Sequence, residues 1–184
     1  YDYLGNLAAY LLHAHFSVRG IKKVTIWGRS AEKVKKLITK FSALYPNITF
    51  YTSLDVNQEI PFVDIICCAT GAKTPLFNGE LVSKGSHIDC LGNHMPNARE
   101  CDTLTVTKAR VFVDSLLNTL NEAGELIIPI KEGAFKADDI VGELAQMCKQ
   151  PEILRQSTDE ITLFKSVGTA ISDLVTAYLV YQKT

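Results

Sequence analysis

The chain has 184 residues, with 19 Lys and Arg against 20 Asp and Glu, so its formal net charge is −1. Apolar types make up 47% of it and charged types 21%, which is ordinary for one globular domain and excludes a collagen-like, disordered or disulfide-scaffold protein. The balanced charge argues against nucleic-acid binding, and no apolar run approaches the roughly 20 residues of a membrane helix.

The hydrophobic pattern predicts helices that alternate with short β-branched strands. Helices are expected at 5–19, 31–45, 137–150 and 169–182. Strands are expected at 23–27, 48–51, 63–68, 87–91 and 110–114. Strands that are apolar on both faces and separated by helices are typical of right-handed βαβ units. The sequence therefore predicts one α/β domain with a doubly wound, mostly parallel sheet covered by helices on both faces.

The cysteines and histidines show no metal-site spacing. The cysteines are Cys67, Cys68, Cys90, Cys101 and Cys148. None of them forms a C-x-x-C pair, so we expect buried free thiols in a reducing cytoplasm rather than a zinc site. His13 and His15 are two residues apart and point to different faces of a helix, so they cannot share a metal ion.

A glycine turn precedes the first helix. Gly5 and Ala8 match the second and third small positions of the dinucleotide fingerprint G-x-G-x-x-G/A, while Tyr3 stands at the first. Backbone N–H groups at such a turn favour a phosphate, although a plain helix cap is the alternative. Residues 1–4 are about the minimum for a strand before this turn. We therefore expect a part of a longer protein, with most of its first strand absent.

Small and polar residues follow the strands at 23–27 and 63–68. Gly28, Arg29 and Ser30 stand where NAD-binding folds carry an acidic residue and NADP-binding folds an Arg. Arg29 favours NADP(H), because a guanidinium binds a 2′-phosphate through charge-assisted hydrogen bonds; a helix N-cap is the alternative role of Ser30. Ala69 and Thr70 either let a flat ligand lie against the sheet edge or form a plain turn.

Three acidic residues lie at the end of the strand expected at 110–114 or within about ten residues after it. Asp114 and Ser115 are expected either to contact the ribose of a nicotinamide or to cap the next helix. Glu122 and Glu125 flank Gly124 and are expected on the solvated surface rather than in a substrate cleft.

Short stretches in a fixed order resemble the ornithine cyclodeaminase/mu-crystallin family. They are 5–8, 24–30, 63–70, 85–92, 99–100, 113–115, 124–125, 142–144 and 161–168. The stretch 161–168, followed by Asp173 and Ala177, is the most specific of them. The resemblance implies a homodimeric enzyme of two parts: a first third that binds substrate and dimerises, and a Rossmann-type NAD(P) domain. This chain, 1–184, matches the second part with its C-terminal helix at 169–182.

The resemblance also assigns roles to individual residues. The cofactor contacts that it implies are Gly5, Asn6 and Leu7 for the pyrophosphate, Gly28, Arg29 and Ser30 for the adenosine ribose, Ala69 and Thr70 for the link toward the nicotinamide, and Gly92, Asn93, Val167 and Gly168 for the nicotinamide cleft. His94 stands at the position of the aspartate that acts as general acid/base in the family's cyclodeaminases. A histidine can also transfer protons near neutral pH; an exposed histidine without a role is the alternative.

Three functions follow from the resemblance. The first is NAD(P)-dependent redox chemistry at the Cα–N bond of an amino or imino acid, as in ketimine reductases and amino-acid dehydrogenases, which lack the aspartate. The second is an ornithine cyclodeaminase, an ammonia lyase that uses NAD catalytically. The third is a non-enzymatic, crystallin-like protein that binds NADPH and a small ligand. Because the family's catalytic lysine and substrate-binding arginines have no counterpart here, this chain alone is expected to be inactive.

Overall fold

The computed structural model describes residues 7–183. The strands are β1 (Lys23–Ile26), β2 (Thr49–Thr52), β3 (Ile65–Cys68), β4 (His87–Cys90), β5 (Ala109–Val113), β6 (Ile140–Glu143) and β7 (Ile161–Lys165). The α-helices are α1 (Leu7–Val18), α2 (Ala31–Leu44), α3 (Val56–Glu59), α4 (Thr103–Lys108), α5 (Leu116–Glu122), α6 (Gly124–Lys131), α7 (Leu144–Lys149) and α8 (Ala170–Lys183). Single 3-10 turns lie at Ile60–Phe62, Gly79–Leu81, Ala137–Asp139 and Pro151–Ile153.

The strands form two sheets, and every strand pair among the described residues is parallel. One sheet has the order β2-β1 and the other the order β3-β4-β7-β5-β6. Cys90 is in register with Cys68 on one side and with Lys165 on the other, so the last residues of these strands align. The carboxyl ends of the five strands therefore lie along one edge of the larger sheet. The chain has the predicted Rossmann-type α/β fold.

Each sheet has its own hydrophobic core. In the larger core Ile88, Val111 and Leu163, one from each of three central strands, are fully buried. The smaller core lies under α2, where Val34 and Phe41 on one face of the helix pack with Ile26 of β1. These side chains fix the helices against the strands and thereby set where the strand ends lie.

Several element predictions are wrong. The helix expected at 137–150 is interrupted by β6, because Ile140 pairs with Val111 and extends the edge of the larger sheet. The strand β7 lies between β4 and β5, although the sequence pattern predicts no strand at 161–165. The helices α3, α4, α5 and α6 are likewise additional to the prediction.

All five cysteines are free, as expected, but two of them contradict the expectation of burial. Cys67 and Cys148 are exposed, whereas Cys68, Cys90 and Cys101 are buried. Cys67 lies on β3, which among the described residues pairs with a neighbour on one side, and Cys148 lies on the short helix α7. None of the helices described between 7 and 183 is long and apolar enough to cross a membrane.

Candidate active site

The turns after β3, β4, β7 and β5 lie side by side at the carboxyl edge of the larger sheet. Three backbone hydrogen bonds continue the strand pairing by one residue: Leu91 N to Cys68 O (3.0 Å), Ser166 N to Cys90 O (3.2 Å) and Asp114 N to Lys165 O (3.2 Å). The candidate residues in these turns are Ala69, Thr70, Gly92, Asn93, His94, Asp114, Val167 and Gly168. Ligands of open α/β sheets bind at this edge, where the side chains and N–H groups point out of the sheet.

Gly92 allows the turn after β4 to lie directly against the turn after β3. A Cβ atom at this position would lie 2.0 Å from Thr70 N and 2.3 Å from Thr70 O. Both neighbours are backbone atoms, so they cannot move aside as a flexible side chain would. The structure therefore requires glycine here, and a contact of Gly92 with a cofactor stays a prediction.

A buried carboxylate, that of Glu100, holds these two turns together. Its Oε1 accepts hydrogen bonds from Thr70 N (2.6 Å) and Thr70 Oγ1 (2.8 Å), and its Oε2 accepts one from Gly92 N (2.9 Å). Burial raises the pKa of Glu100 to about 7, since the three hydrogen bonds only partly offset the loss of water. Glu100 thus fixes Thr70, which the sequence predicts to lie beside the cofactor.

A buried ion pair lies next to Glu100. Lys165 Nζ is 3.0 Å from Glu125 Oε2, and both side chains are fully buried. Lys165 also donates to the carbonyl of Asn93, while Glu125 Oε1 accepts from Glu100 N (2.9 Å). Burial raises the pKa of Glu125 despite the neighbouring ammonium. The ion pair thus connects β7 with α6, and the hydrogen bond from Lys165 connects β7 with the turn that carries Asn93.

The expectation that Glu125 lies on the solvated surface is therefore wrong, while Glu122 is exposed as expected. The reason lies one residue earlier, at Gly124. A Cβ atom there would lie 2.0 Å from Ala98 O, so the start of α6 packs tightly against the loop after β4. This close packing places Glu125 inside the molecule.

Asp114 supports the turn after β7. Its Oδ2 accepts hydrogen bonds from Ser166 Oγ (2.7 Å), Val167 N (3.1 Å) and Gly168 N (2.7 Å). The side chain of Ser115, and not that of Asp114, caps α5. Asp114 thus orients Val167 and Gly168, and its contact with a ribose stays a prediction.

The turn after β1 carries a positively charged side chain, that of Arg29, which has no partner among the described residues. Arg29 is exposed, and among the described residues nothing forms a hydrogen bond or an ion pair with its guanidinium. Ser30 Oγ accepts from Lys33 N at 3.4 Å and caps α2, so the capping role is confirmed. Gly28 is half-buried between β1 and this cap. The guanidinium is therefore available to an anion.

His94 is exposed in the loop after β4, and its ring makes no hydrogen bond to any residue between 7 and 183. The buried Asn93 shapes this loop, since its amide donates to Ala72 O (2.5 Å) and accepts from Met95 N (3.0 Å). No described carboxylate orients the imidazole, so proton transfer by His94 stays a prediction.

The predicted pyrophosphate contacts fall at the start of the described chain. Gly5 and Asn6 lie outside the described residues, and Leu7 is the half-buried first residue of α1. Their contact with a pyrophosphate stays a prediction.

A second polar cluster lies between α1 and the larger sheet. Asp89 is 3.0 Å from His15 Nε2 and 3.2 Å from His87 Nε2. Burial by itself would raise the pKa of Asp89, but the hydrogen bonds from both imidazoles outweigh it and hold the pKa at about 2. Ligand atoms of His15, Cys67 and Asp89 lie within 4.8 Å of one another, while His13 bonds to Tyr45 instead. The two helix histidines therefore face different partners, as expected.

Sequence reasoning assigns no role to Glu100 or Lys165 and places Glu125 on the surface. Each of the three stands in a stretch that carries the family resemblance: 99–100, 161–168 and 124–125. Charged residues are rarely buried unless they are paired, and the pairing partners here come from distant parts of the chain. The family resemblance includes these three positions, but only the fold shows which groups their side chains contact.

A sequence profile of the ornithine cyclodeaminase/mu-crystallin family matches residues 4–184. The chain belongs to this family. A relative within the ornithine cyclodeaminase/mu-crystallin family is the Delta(1)-pyrroline-2-carboxylate reductase of Colwellia psychrerythraea. It is 71% identical over 179 residues, which cover 97% of this chain and 57% of that protein.

Solved structures agree with this family assignment. The Delta(1)-pyrroline-2-carboxylate reductase of Thermococcus litoralis, in complex with NADH and L-proline, superposes with a TM-score of 0.91 at 37% identity. The alignment covers 96% of this chain and 54% of that one. An archaeal alanine dehydrogenase dimer with bound NAD gives a TM-score of 0.89 at 25% identity, covering 97% of this chain and 54% of that one. The chain thus spans a little more than half the length of the relatives that it matches.

Proposed function

We propose that this chain is the NAD(P)H-binding part of an enzyme that reduces a cyclic imino acid, of the Δ1-pyrroline-2-carboxylate type, to the corresponding amino acid. The observation that carries the proposal is the 71% identity to the Colwellia psychrerythraea reductase across 97% of the chain. The Thermococcus litoralis reductase, whose structure holds NADH and L-proline, supports the same reading.

The turns at the strand ends suit the cofactor. Arg29 offers an exposed guanidinium, without a partner among residues 7–183, where a 2′-phosphate would lie, which favours NADP(H) over NAD(H). Val167 and Gly168, held by Asp114, offer a backbone surface for a flat ring. Thr70 is kept in place by Glu100. The same proposal includes the predicted contacts of the pyrophosphate with Gly5, Asn6 and Leu7. It also includes contacts of the rest of the cofactor with Gly28, Ser30, Ala69, Gly92 and Asn93.

The chemistry divides between cofactor and protein. NAD(P)H supplies the hydride that reduces an imine at its α-carbon, and a proton must reach the imine nitrogen to complete the amine. In this proposal the chain binds the cofactor and orients it. The candidate proton donor of the chain is His94, which is exposed beside the buried Asn93. The proposed substrate is a small imino acid. That the whole enzyme is a homodimer, and that it is cytoplasmic, remain predictions.

Two measurements test the proposal. Calorimetry on this chain should show NADPH binding with a Kd well below about 1 mM, and tighter binding of NADPH than of NADH. A longer form with the further length that the relatives have should convert Δ1-pyrroline-2-carboxylate to proline with one NAD(P)H consumed per product, while this chain alone should not. Failure to bind either cofactor would contradict the cofactor role.

The other two functions give different results in the same assays. A cyclodeaminase would release ammonia from ornithine with no net change in the cofactor, because the hydride is returned within each turnover. A non-enzymatic binding protein would bind NADPH without turnover in the longer form as well. His94, at the position of the cyclodeaminase aspartate, makes us favour the reductase.

A further inference from the structure

The polar cluster between α1 and the larger sheet brings together three kinds of metal-ligating side chain. His15 lies on α1, Cys67 on β3 and Asp89 on β4, and one ligand atom of each lies within 4.8 Å of the other two. His15 Nε2 and Asp89 Oδ2 are already 3.0 Å apart. Imidazole nitrogen, thiolate sulfur and carboxylate oxygen are the protein atoms that bind Zn²⁺. The cluster therefore has the donor set of a zinc site, and the proposed imine reduction does not use it.

The register of the sheet positions two of the three ligands. Cys67 and Asp89 are paired across the parallel strands β3 and β4, so their side chains project from the same face of the sheet. The helix α1 brings His15 to this face, where it contacts Asp89. Ligands that are held by strands and a helix are placed more precisely than ligands on loops. The sequence shows no metal-site spacing because the three residues come from three separate elements.

His87 holds the carboxylate of Asp89 in one orientation. Its Nε2 is 3.2 Å from Asp89 Oδ1, and its Nδ1 is 2.8 Å from Thr162 Oγ1. A carboxylate that ligates a metal is commonly hydrogen-bonded in this way through its second oxygen. Asp89 is only 8% exposed, and a buried carboxylate needs a cation or hydrogen bonds. The contact with His87 thus leaves Oδ2, which faces His15, as the oxygen for a cation.

A metal ion would replace protons at this cluster. The hydrogen bond between His15 Nε2 and Asp89 Oδ2 places one proton between these atoms. Burial, with a smaller contribution from the charge of Asp89, raises the pKa of the Cys67 thiol, so the sulfur keeps its proton until a metal displaces it. Mg²⁺ and Ca²⁺ prefer oxygen ligands, whereas Zn²⁺ binds thiolate and imidazole strongly. The donor set therefore favours Zn²⁺.

The cluster needs little movement to bind the ion, and it is accessible. Zinc bonds of about 2.0–2.3 Å place tetrahedral ligand atoms about 3.3–3.6 Å apart, so atoms that now lie within 4.8 Å must close by roughly 1 Å. Rotation of the side chains can provide this shift. Among the residues that the structure describes, Cys67 is exposed, so an ion can reach the sulfur from solvent.

We propose that His15, Cys67 and Asp89 bind one Zn²⁺ ion, with the fourth position open to water and His87 orienting Asp89. The ion links α1 to β3 and β4. No described residue of α1 is fully buried, so this link should stabilise the folded chain when zinc is bound. The inference is independent of the proposed function, because it concerns different side chains and its tests need neither cofactor nor substrate.

Titration of the metal-free, reduced chain with Zn²⁺ and Co²⁺ tests the site. We expect one ion per chain with a Kd of about 10 µM or below, and no competition from Mg²⁺. Co²⁺ should give the intense near-ultraviolet absorption of a cobalt–thiolate bond. Cys67→Ser should abolish this absorption and weaken Zn²⁺ binding about tenfold or more. The matched control is Cys148→Ser, which removes the other exposed cysteine and should change neither result.

Thermal unfolding gives a second measurement that does not depend on the sulfur. Excess Zn²⁺ should raise the Tm of the unmodified chain and of Cys148→Ser, whereas His15→Ala, which keeps the thiol, should lose most of this rise. If His15→Ala does not fold, Cys67→Ser takes its place, since Cys67 is exposed and serine is similar in size. The proposal is overturned if Co²⁺ gives no thiolate absorption, if Cys67→Ser binds Zn²⁺ as tightly as the unmodified chain, or if the rise in Tm persists in the ligand variant.

Discussion

At the scale of single residues, the candidate site depends on charged side chains that never meet solvent. Glu100, Glu125 and Lys165 are all fully buried, and together they hold the turns after β3 and β4 through backbone groups. Burying a charge is costly unless it is paired and hydrogen-bonded, so these residues impose one arrangement of the turns rather than adding net stability. The turns thereby present one fixed surface to a ligand.

Glu100 should make the stability of the chain depend on pH. Its pKa is about 7 when folded against an ordinary value of 4.5, so the folded state binds the proton more tightly than the unfolded chain. The stabilisation is complete below about pH 4.5 and is lost as the pH rises through 7, and the difference corresponds to about 3 kcal/mol. Urea unfolding at pH 5 and pH 8 measures it.

Glu100→Gln, which stays neutral, should remove this part of the pH dependence. The matched control is Glu122→Gln, because Glu122 is exposed and its replacement should leave the pH dependence unchanged. If Glu100→Gln retains the full fall in stability between pH 5 and pH 8, Glu100 is not the group that titrates.

Arg29 should determine the preference between the two cofactors. Its guanidinium is exposed and has no partner among the described residues, so we expect Arg29→Ala to remove the proposed phosphate contact without disturbing the fold. Calorimetry should show NADPH binding weakened about tenfold or more, with NADH affected little, since a hydrogen bond to a charged group contributes about 1.5–3 kcal/mol. Lys40→Ala, elsewhere on the exposed face of α2, is the control with the same charge change. Equal losses for both cofactors would disprove the preference.

At the scale of elements, the turn after β4 can approach the turn after β3 only because Gly92 has no side chain. Gly92→Ala would place a Cβ atom 2.0 Å from Thr70 N, so the two turns must separate. We expect a loss of about 1–3 kcal/mol in the free energy of unfolding, as for other overpacked sites, and weaker cofactor binding. Gly20→Ala is the control, because nothing lies within 4 Å of its added Cβ. Equal stability of the two variants would contradict this packing argument.

The connection between β7 and α6 can be measured through its ion pair. Lys165→Met leaves Glu125 buried without its cation, and removing one partner of a buried pair costs about 3–5 kcal/mol. The double variant Lys165→Met with Glu125→Gln should recover a large part of this loss. Urea unfolding of the two single variants and the double variant gives the coupling energy. A double variant as unstable as the sum of both single variants would show that the two side chains act independently.

The elements also show how far sequence reasoning reaches. The strands β1, β3, β4 and β5 are β-branched runs bounded by turn residues, and the sequence predicts them within two residues of their ends. By contrast, β6 is four residues long, and its Ile140 and Val141 also fit the three- and four-residue steps of the helix expected at 137–150. Its strand conformation comes from pairing with β5, and the local sequence pattern carries no information about this pairing.

The same division holds at the candidate site. Gly28, Arg29 and Ser30 are predictable because a turn after a strand has a characteristic composition, and the cap by Ser30 is a local interaction. The burial of Glu100 is not predictable, since its partners Thr70 and Gly92 come from other turns of the fold. Turn composition and helix capping can be predicted from one sequence, whereas hydrogen bonds between distant residues can be identified only from the fold.

At the scale of the whole molecule, every residue of the helix α8 is exposed. Its large apolar side chains are more than half exposed, with Ile171 at 74% and Leu174 at 70%. It is 14 residues long, which is within the range of about 12–15 residues where an isolated helix is marginal in water. An apolar helix of this kind gains stability only when another surface covers it, and a second copy of the chain is the surface that the family resemblance implies.

Deleting 170–183 should therefore change the free energy of unfolding of the dilute chain by less than about 0.5 kcal/mol, because no core contact is lost. In the intact chain the amides of α8 should exchange far faster than those of β7, which has a paired strand on each side. Hydrogen exchange at two protein concentrations extends the test: if copies of the chain cover α8, its amides should slow at the higher concentration while those of β7 stay constant. Exchange in α8 as slow as in β7 at high dilution would instead show that the helix packs within its own chain.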